Sequence, residues 1–81
     1  MNRYSVMIDP QYEAQLVPVS QLDPNALIEY VDTAADGSEL WHVTTKHDID
    51  TILDRQPGVV SYDVTDLDQP QYTSETKYPD A

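Results

Sequence analysis

Four stretches of the chain carry the apolar patterns of β-strands. In the first of them every second side chain, from Tyr4 through Val6 to Ile8, is large and apolar, which places these side chains on one face of a strand. The other three stretches are rich in β-branched and aromatic residues, which favour extended backbone. The patterns predict strands near residues 3–8, 26–33, 39–45 and 59–65.

The segment between the second and third strands favours a tight turn. Asp36 and Gly37 lie between two β-rich runs, and glycine tolerates the positive φ that a two-residue hairpin requires. A helix over residues 24–35 is the alternative, because apolar residues recur there at helical spacing behind the helix-start pair Asp23 and Pro24. The hairpin is the favoured interpretation.

Two helices are predicted, one weak and one well marked. Asp9 and Pro10 form a helix-start signal, but the helix is expected to end by Pro18 and to give way to an extended connection. The second helix is predicted over residues 47–56. Its apolar residues lie along one face, and the aspartates of the same segment lie on the opposite face. The apolar face consists of Ile49, Ile52 and Leu53.

In chain order the elements are strand, weak helix, strand, strand, helix and strand. This is the order of a ferredoxin-like βαββαβ sandwich, an α+β fold in which two helices cover one face of an antiparallel sheet. We expect a single domain at residues 1–65 and an acidic, mobile tail at residues 66–81, which show no apolar period. The expected core residues are Val6, Ile8, Trp41, Val43, Ile49, Ile52, Leu53, Val60 and Tyr62.

The composition adds a strong negative charge. Fifteen Asp and Glu residues against four Lys and Arg residues give a formal net charge of −11 at pH 7. Such a chain repels nucleic acid and anionic membranes and attracts basic proteins, so a nucleic-acid-binding protein with a basic surface is the favoured partner. Solubility or adaptation to high salt is the alternative explanation of the acidity. With no cysteine and no long apolar stretch, a cytoplasmic location is expected.

The residue types needed for catalysis or cofactor binding do not form a known motif in this sequence. No nucleophile elbow or phosphate-binding glycine loop is present, so we expect neither enzyme activity nor a cofactor. Asp63, Asp66 and Asp68 lack the glycine and distal glutamate of a calcium loop. His42 and His47 have no cysteine to complete a zinc site, and no metal is therefore expected.

Aspartates form the candidate contact surface for a basic partner. Asp50 and Asp54 are one helical turn apart, about 6 Å, which is comparable with the separation of successive phosphates on a nucleic-acid strand. Alternate aspartates on extended backbone are separated by about 7 Å. A nucleic-acid mimic that inhibits a basic protein, of the kind that phages and mobile elements encode, is the first hypothesis. The predicted contact residues are Asp50, Asp54, Asp66, Asp68, Asp32, Asp36 and Tyr72.

The second half of the chain resembles the end of subtilisin-propeptide inhibitor domains. A helix there leads through Pro57 and Gly58 into a strand that ends near Val64, and an extended tail follows. The resemblance covers about a third of the chain and carries no specific motif. It implies a peptidase inhibitor or intramolecular chaperone whose tail enters a protease groove by strand addition. A structural subunit of a larger assembly is a third interpretation.

Overall fold

The computed structural model describes residues 1–68 and 76–79, except for the side chains of residues 13–15. The protein is a small α+β domain with a four-stranded antiparallel sheet, and all four predicted strands are confirmed to within one residue at each end. In chain order the elements are β1 (Asn2–Ile8), a 3₁₀-helical segment (Pro10–Leu16), α1 (Val17–Leu22), β2 (Leu27–Thr33), β3 (Glu39–Thr45), α2 (Asp50–Arg55) and β4 (Val59–Asp66).

The strands are arranged in the order β2-β3-β1-β4. In the centre of the sheet, Val6 of β1 pairs with Trp41 of β3 on one side and with Tyr62 of β4 on the other. The hairpin between β2 and β3 is confirmed over the alternative helix, and Gly37 adopts the positive φ, 91°, that its turn requires.

One face of the sheet packs against both helical regions. Leu16 and Val19 come from the first region, Ile49 and Leu53 come from the second, and all four belong to the same core cluster as the large side chains of β1. Burying these apolar side chains is the main source of stability for a domain of this size. The full cluster is Tyr4, Val6, Ile8, Leu16, Val19, Val43, Ile49, Leu53, Val59, Tyr62 and Val64.

The first helical region differs from the prediction that it ends by Pro18 and continues as an extended connection. Pro18 instead lies at one of the first two positions of α1, where the missing N–H costs no hydrogen bond. The chain leaves helical backbone at Tyr12, with φ −115° and ψ 54°, and helical structure then continues to Leu22. The proline therefore starts a helix here and does not end one.

The second helix begins later than predicted, at Asp50 and not near His47. The backbone N–H of Asp50 donates to Asp48 Oδ1 at 3.0 Å, and the N–H of Ile49 donates to the Tyr4 hydroxyl at 3.2 Å. These two contacts satisfy N–H groups that have no partner within the helix. The residues before Asp50 therefore form a capping turn.

Val60 was predicted in the core and is 50% exposed, whereas its neighbour Val59 is buried. The register between β1 and β4 shifts so that Ile8 pairs with Val59, and Val60 becomes the extra residue of an irregular pair. Trp41 and Ile52 are only partly buried and pack against the core cluster. The remaining predicted core residues are buried.

Candidate functional site

The predicted contact aspartates lie in three places on the surface. Asp66 pairs with Asn2 at the start of β1, whereas the hairpin adjoins the other end of that strand, where Ile8 pairs with Glu39. The hairpin aspartates are therefore separated from the end of β4 by the length of the sheet. Tyr72 lies outside the described residues. The three groups are Asp50 with Asp54 on α2, Asp66 with Asp68 at the end of β4, and Asp32 with Asp36 near the hairpin turn.

Two buried tyrosines reach the carboxylates beside α2. The Tyr62 hydroxyl donates a hydrogen bond of 2.7 Å to Asp54 Oδ1, and the Tyr4 hydroxyl lies 3.5 Å from Asp48 Oδ1. Burial raises the pKa of Tyr4 to about 12. Burial also raises the pKa of Tyr62, and the hydrogen bond to Asp54 adds to this shift. Both hydroxyls are therefore protonated at neutral pH and act as hydrogen-bond donors.

An ammonium group is bound at the same place. Lys77 Nζ forms an ion pair with the Asp50 carboxylate and lies 5.9 Å from the centroid of the Tyr62 ring. The backbones of Lys77 and Tyr62 exchange two hydrogen bonds, of 2.7 and 2.9 Å. The hydrogen bond to Asp50 raises the pKa of Lys77, so its charge is retained at neutral pH. We call Tyr4, Tyr62, Asp48, Asp50 and Asp54 the acid cluster.

Sequence reasoning found only part of the acid cluster. Asp48 was missed, although an aspartate two residues before a helix start is a common turn signal. The hydrogen bond from the Asp50 N–H lowers the pKa of Asp48 and favours its ionised form. The contact between Lys77 and Asp50 had no local signal, because the two residues are 27 positions apart in the chain.

The other two aspartate groups contact backbone N–H groups and the N-terminal ammonium group. Asp68 Oδ2 lies 3.0 Å from the N-terminal ammonium group, and Asp66 Oδ1 accepts a hydrogen bond from the Asp68 N–H. At the hairpin, Asp36 accepts a hydrogen bond from the Ser38 N–H, which lowers the pKa of this carboxyl. Asp36 and Asp66 therefore accept hydrogen bonds within their own turns, whereas Asp68 connects the end of β4 to the N-terminus.

A cavity of about 650 Å³ lies between α1 and the part of the sheet that contains β2. Trp41 lines it, donates a hydrogen bond of 3.2 Å to Glu39, and meets the Tyr30 ring edge-on at 5.6 Å between centroids. The mostly apolar lining suits hydrophobic side chains of a ligand. The lining residues are Ile8, Leu16, Val17, Ser20, Gln21, Ile28, Glu39 and Trp41.

The described residues offer no cluster of metal ligands and no membrane-spanning helix. No group of three or more histidine, aspartate or glutamate side chains in that part of the chain could hold a metal ion. No helix in residues 1–68 and 76–79 has the length and apolar character needed to cross a membrane. Comparison with protein-family models, with curated proteins and with solved structures gives no match.

Proposed function

We propose that this chain is a small non-enzymatic protein that binds and blocks a basic surface of another macromolecule. A nucleic-acid-binding protein is the partner that we favour. The observation that carries the proposal is the ion pair of Lys77 with Asp50 beside the Tyr62 ring. A carboxylate next to an aromatic face attracts an ammonium group by charge and by cation–π interaction. A lysine from a partner could use the same groups.

The charge balance supports this proposal. The ion pairs within the described residues join Asp50 to Lys77 and Asp68 to the N-terminal ammonium group, so most described carboxylates lack a cationic partner there. With a formal net charge of −11, the surface attracts cationic proteins over distances up to about the Debye length. Such steering speeds association and discriminates against acidic partners.

The fixed position of the acid cluster also supports the proposal. Ordering a flexible side chain on binding costs about 0.5–1.5 kcal/mol, so carboxylates that are already held lose less free energy. Asp54 is held by the Tyr62 hydroxyl, and Asp48 is held by the Asp50 N–H. Since Asp50 and Asp54 are separated by one helical turn, about 6 Å, the spacing is compatible with mimicry of adjacent phosphates.

We further propose that the fold is a ferredoxin-like βαββαβ sandwich. The order of the strands supports this assignment, because β1 and β3 lie in the centre and each connection that skips a strand contains a helical region. This fold serves many unrelated functions, so it does not by itself favour one partner over another.

The test compares two lysine substitutions that change the net charge equally. Lys77→Met exposes Asp50 to an incoming cation, whereas Lys46→Met removes an exposed lysine that has no ion pair within the described residues. The probe is fluorescein-labelled decalysine, and the readout is its dissociation constant by anisotropy over a range of salt concentrations. We expect Lys77→Met to tighten binding by about threefold or more and Lys46→Met to change it by less than about twofold.

Equal effects of the two substitutions would mean that only the net charge matters, and solubility would then explain the acidity. Asp54→Asn and Asp9→Asn form a second matched pair, because both remove one charge and keep a side chain that can accept a hydrogen bond. Asp54→Asn should weaken decalysine binding more than Asp9→Asn does, because Asp9→Asn reports only the loss of one charge. Native mass spectrometry of a complex purified with its natural partner would then identify that partner.

A peptidase inhibitor or intramolecular chaperone is the second candidate function. The observation that favours it is the strand-like pairing of Lys77 with Tyr62, since the C-terminal segment forms backbone hydrogen bonds at a sheet edge. Truncation after Asp66 separates the two candidates. A tail-based inhibitor would lose most of its potency toward a subtilisin-type protease. A protein that binds through Asp50 and Asp54 would keep or increase its affinity for decalysine, because the truncation also removes Lys77 from Asp50.

A further inference from the structure

The edge strand β2 exposes several large apolar side chains. It pairs with β3 on one side and with no other strand in the described residues. An edge of this kind offers unpaired backbone N–H and C=O groups to an incoming strand. The exposed large apolar side chains of β2 are Leu27, Tyr30 and Val31.

The cavity beneath α1 is continuous with this edge. Ile28 of β2 lines the cavity, and Tyr30 of β2 contacts Trp41 in the cavity wall. Val17 of α1 borders the same space and is 50% exposed. Because side chains of a strand point alternately to the two faces of a sheet, a strand added to β2 would direct every second side chain toward the cavity.

The charge around the edge indicates which kind of strand would fit. Glu39 lines the cavity, and Glu29 and Asp32 lie within β2 itself. Among the residues that the structure describes, no lysine or arginine lines the cavity. A second copy of the chain would bring its own Glu29 and Asp32 to the same edge, and like charges on paired strands destabilise a sheet. A cationic strand would instead be attracted.

We propose that β2 and the adjoining cavity form a strand-addition site for an extended cationic segment of the partner protein. Apolar side chains of the segment enter the cavity beside Trp41, and its lysine or arginine side chains meet Glu29 and Asp32. The inference rests on the proposed function, since the same basic partner supplies the segment. It adds a contact surface on the opposite edge of the sheet from the acid cluster.

The experiment uses a peptide of about ten residues in which valine and lysine alternate, a length that matches an ordinary strand. A control peptide has the same length and charge but carries proline at its two central valine positions. Trp41 is the only tryptophan in the chain, so its fluorescence reports binding at the cavity. We expect the alternating peptide to shift the emission of Trp41 and to slow amide hydrogen exchange in β2. The proline peptide should do neither.

Two arginine substitutions provide a matched pair on the protein. Val17 and Val60 are both 50% exposed, but only Val17 borders the cavity. Val17→Arg should raise the dissociation constant of the alternating peptide by about tenfold or more, and Val60→Arg should change it by less than about twofold. Circular dichroism and thermal unfolding will establish that both variants are folded. If Val17→Arg does not fold, protection of β2 amides in the unmodified protein decides the question.

The possible failures can be told apart. If Asp54→Asn weakens binding of the alternating peptide while Val17→Arg does not, the peptide binds at the acid cluster, and the strand-addition site is wrong while the proposed function stands. If decalysine fails to discriminate Lys77→Met from Lys46→Met, the proposed function falls irrespective of the alternating peptide. If sedimentation shows a dimer that Val17→Arg dissociates, a second copy occupies the edge, and the inference is overturned.

Discussion

The two edge strands of the sheet have similar sequences but different surroundings. Both β2 and β4 combine valine, tyrosine and aspartate. At β4, the backbone of Lys77 pairs with Tyr62, whose ring is buried and whose hydroxyl is bound to Asp54. At β2, Tyr30 is exposed beside an apolar cavity. The difference shows that the residues surrounding an edge, and not its own composition, decide whether it is covered.

The two edges offer different ways of binding a basic protein. The acid cluster beside β4 offers charge, and the ion pair between Lys77 and Asp50 demonstrates that it accommodates an ammonium group. The β2 edge offers backbone hydrogen bonds and apolar area, with charge only at its border. Charge mainly increases association rates, whereas buried apolar contacts mainly slow dissociation. We therefore expect the two edges to contribute to different kinetic steps.

The largest expected effect concerns the anchoring of the two helices. Leu53 of α2 is fully buried, so Leu53→Ala should lower the free energy of unfolding by about 2–5 kcal/mol. Leu22 of α1 is 46% exposed, and Leu22→Ala should change the free energy of unfolding by less than about 0.5 kcal/mol. The cost of Ile52→Ala should lie between the costs of these two substitutions, because Ile52 is partly buried. Urea unfolding monitored by Trp41 measures all three, and equal costs would contradict this difference between the helices.

The next largest expected effect is the difference in stability cost between removing the Tyr4 hydroxyl and removing the Tyr62 hydroxyl. The Tyr4 hydroxyl accepts a hydrogen bond from the buried N–H of Ile49, so Tyr4→Phe leaves that N–H unsatisfied and should cost about 1–3 kcal/mol. Tyr62→Phe should cost less, because Asp54 is exposed and water can replace the lost hydroxyl. Unfolding of both variants at neutral pH provides the measurement. A greater cost for Tyr62→Phe would show that the charged hydrogen bond dominates.

The pKa of Tyr4 predicts a loss of stability in alkaline solution. Its value of about 12 in the folded protein lies above the ordinary value of about 10 in the unfolded chain. The protonated hydroxyl therefore contributes fully below pH 10, and this contribution is lost as the pH rises through the folded value. Tyr4→Phe should flatten the fall in stability that the unmodified protein shows above about pH 10. An unchanged pH profile in the variant would assign the fall to other groups.

An acidic counterpart lies at the end of α1. The Thr45 hydroxyl donates a hydrogen bond of 2.7 Å to Asp23, and this contact lowers the pKa of the Asp23 carboxyl. The ionised Asp23 carboxylate stabilises the fold above about pH 3.9, the ordinary pKa of aspartate in an unfolded chain. This stabilisation is lost as the pH falls through the lower pKa of Asp23 in the folded protein. Thr45→Val should therefore move acid unfolding to higher pH, whereas Thr44→Val on the opposite face should not. Identical acid transitions in the two variants would contradict this assignment.

The smallest effect concerns the pairing at the β4 edge. The Tyr62 N–H donates to the Lys77 carbonyl at 2.9 Å, so this amide should be protected from hydrogen exchange. Deleting residues 76–81 should speed exchange at Tyr62 while leaving the β2 amides unchanged and the thermal unfolding temperature nearly constant. A large fall in that temperature would mean that the C-terminal segment is part of the folding core.

The sequence could predict the elements whose signals are local. The alternation from Tyr4 to Ile8 and the Asp36-Gly37 turn were sufficient for a strand and a hairpin, because their patterns arise from the backbone geometry of neighbouring residues. Pro18 was misjudged because proline both ends helices and occupies their first positions, and local sequence does not separate these roles. Val60 was misplaced because an irregular pair depends on the partner strand.

The candidate site was less accessible to sequence reasoning than the fold. Asp50 and Asp54 were identified from charge and helical spacing, but their tyrosine and lysine partners come from β1, β4 and the C-terminal segment. The cavity had no signature either, since its wall combines Val17, Ile28 and Trp41 from three elements. Contacts between residues that are distant in the chain depend on how the helices pack on the sheet, which no local pattern specifies.

By itself, the sequence determined the four strands, the hairpin, the main helix and the excess of negative charge, because each depends on composition or on the spacing of near neighbours. Tertiary structure alone decided which edge of the sheet is covered. Lys77 pairs with Tyr62, and Tyr30 is left beside an open cavity, only because the strand order places β4 and β2 at opposite edges. That order results from burying one shared core, a property of the whole chain and not of any segment.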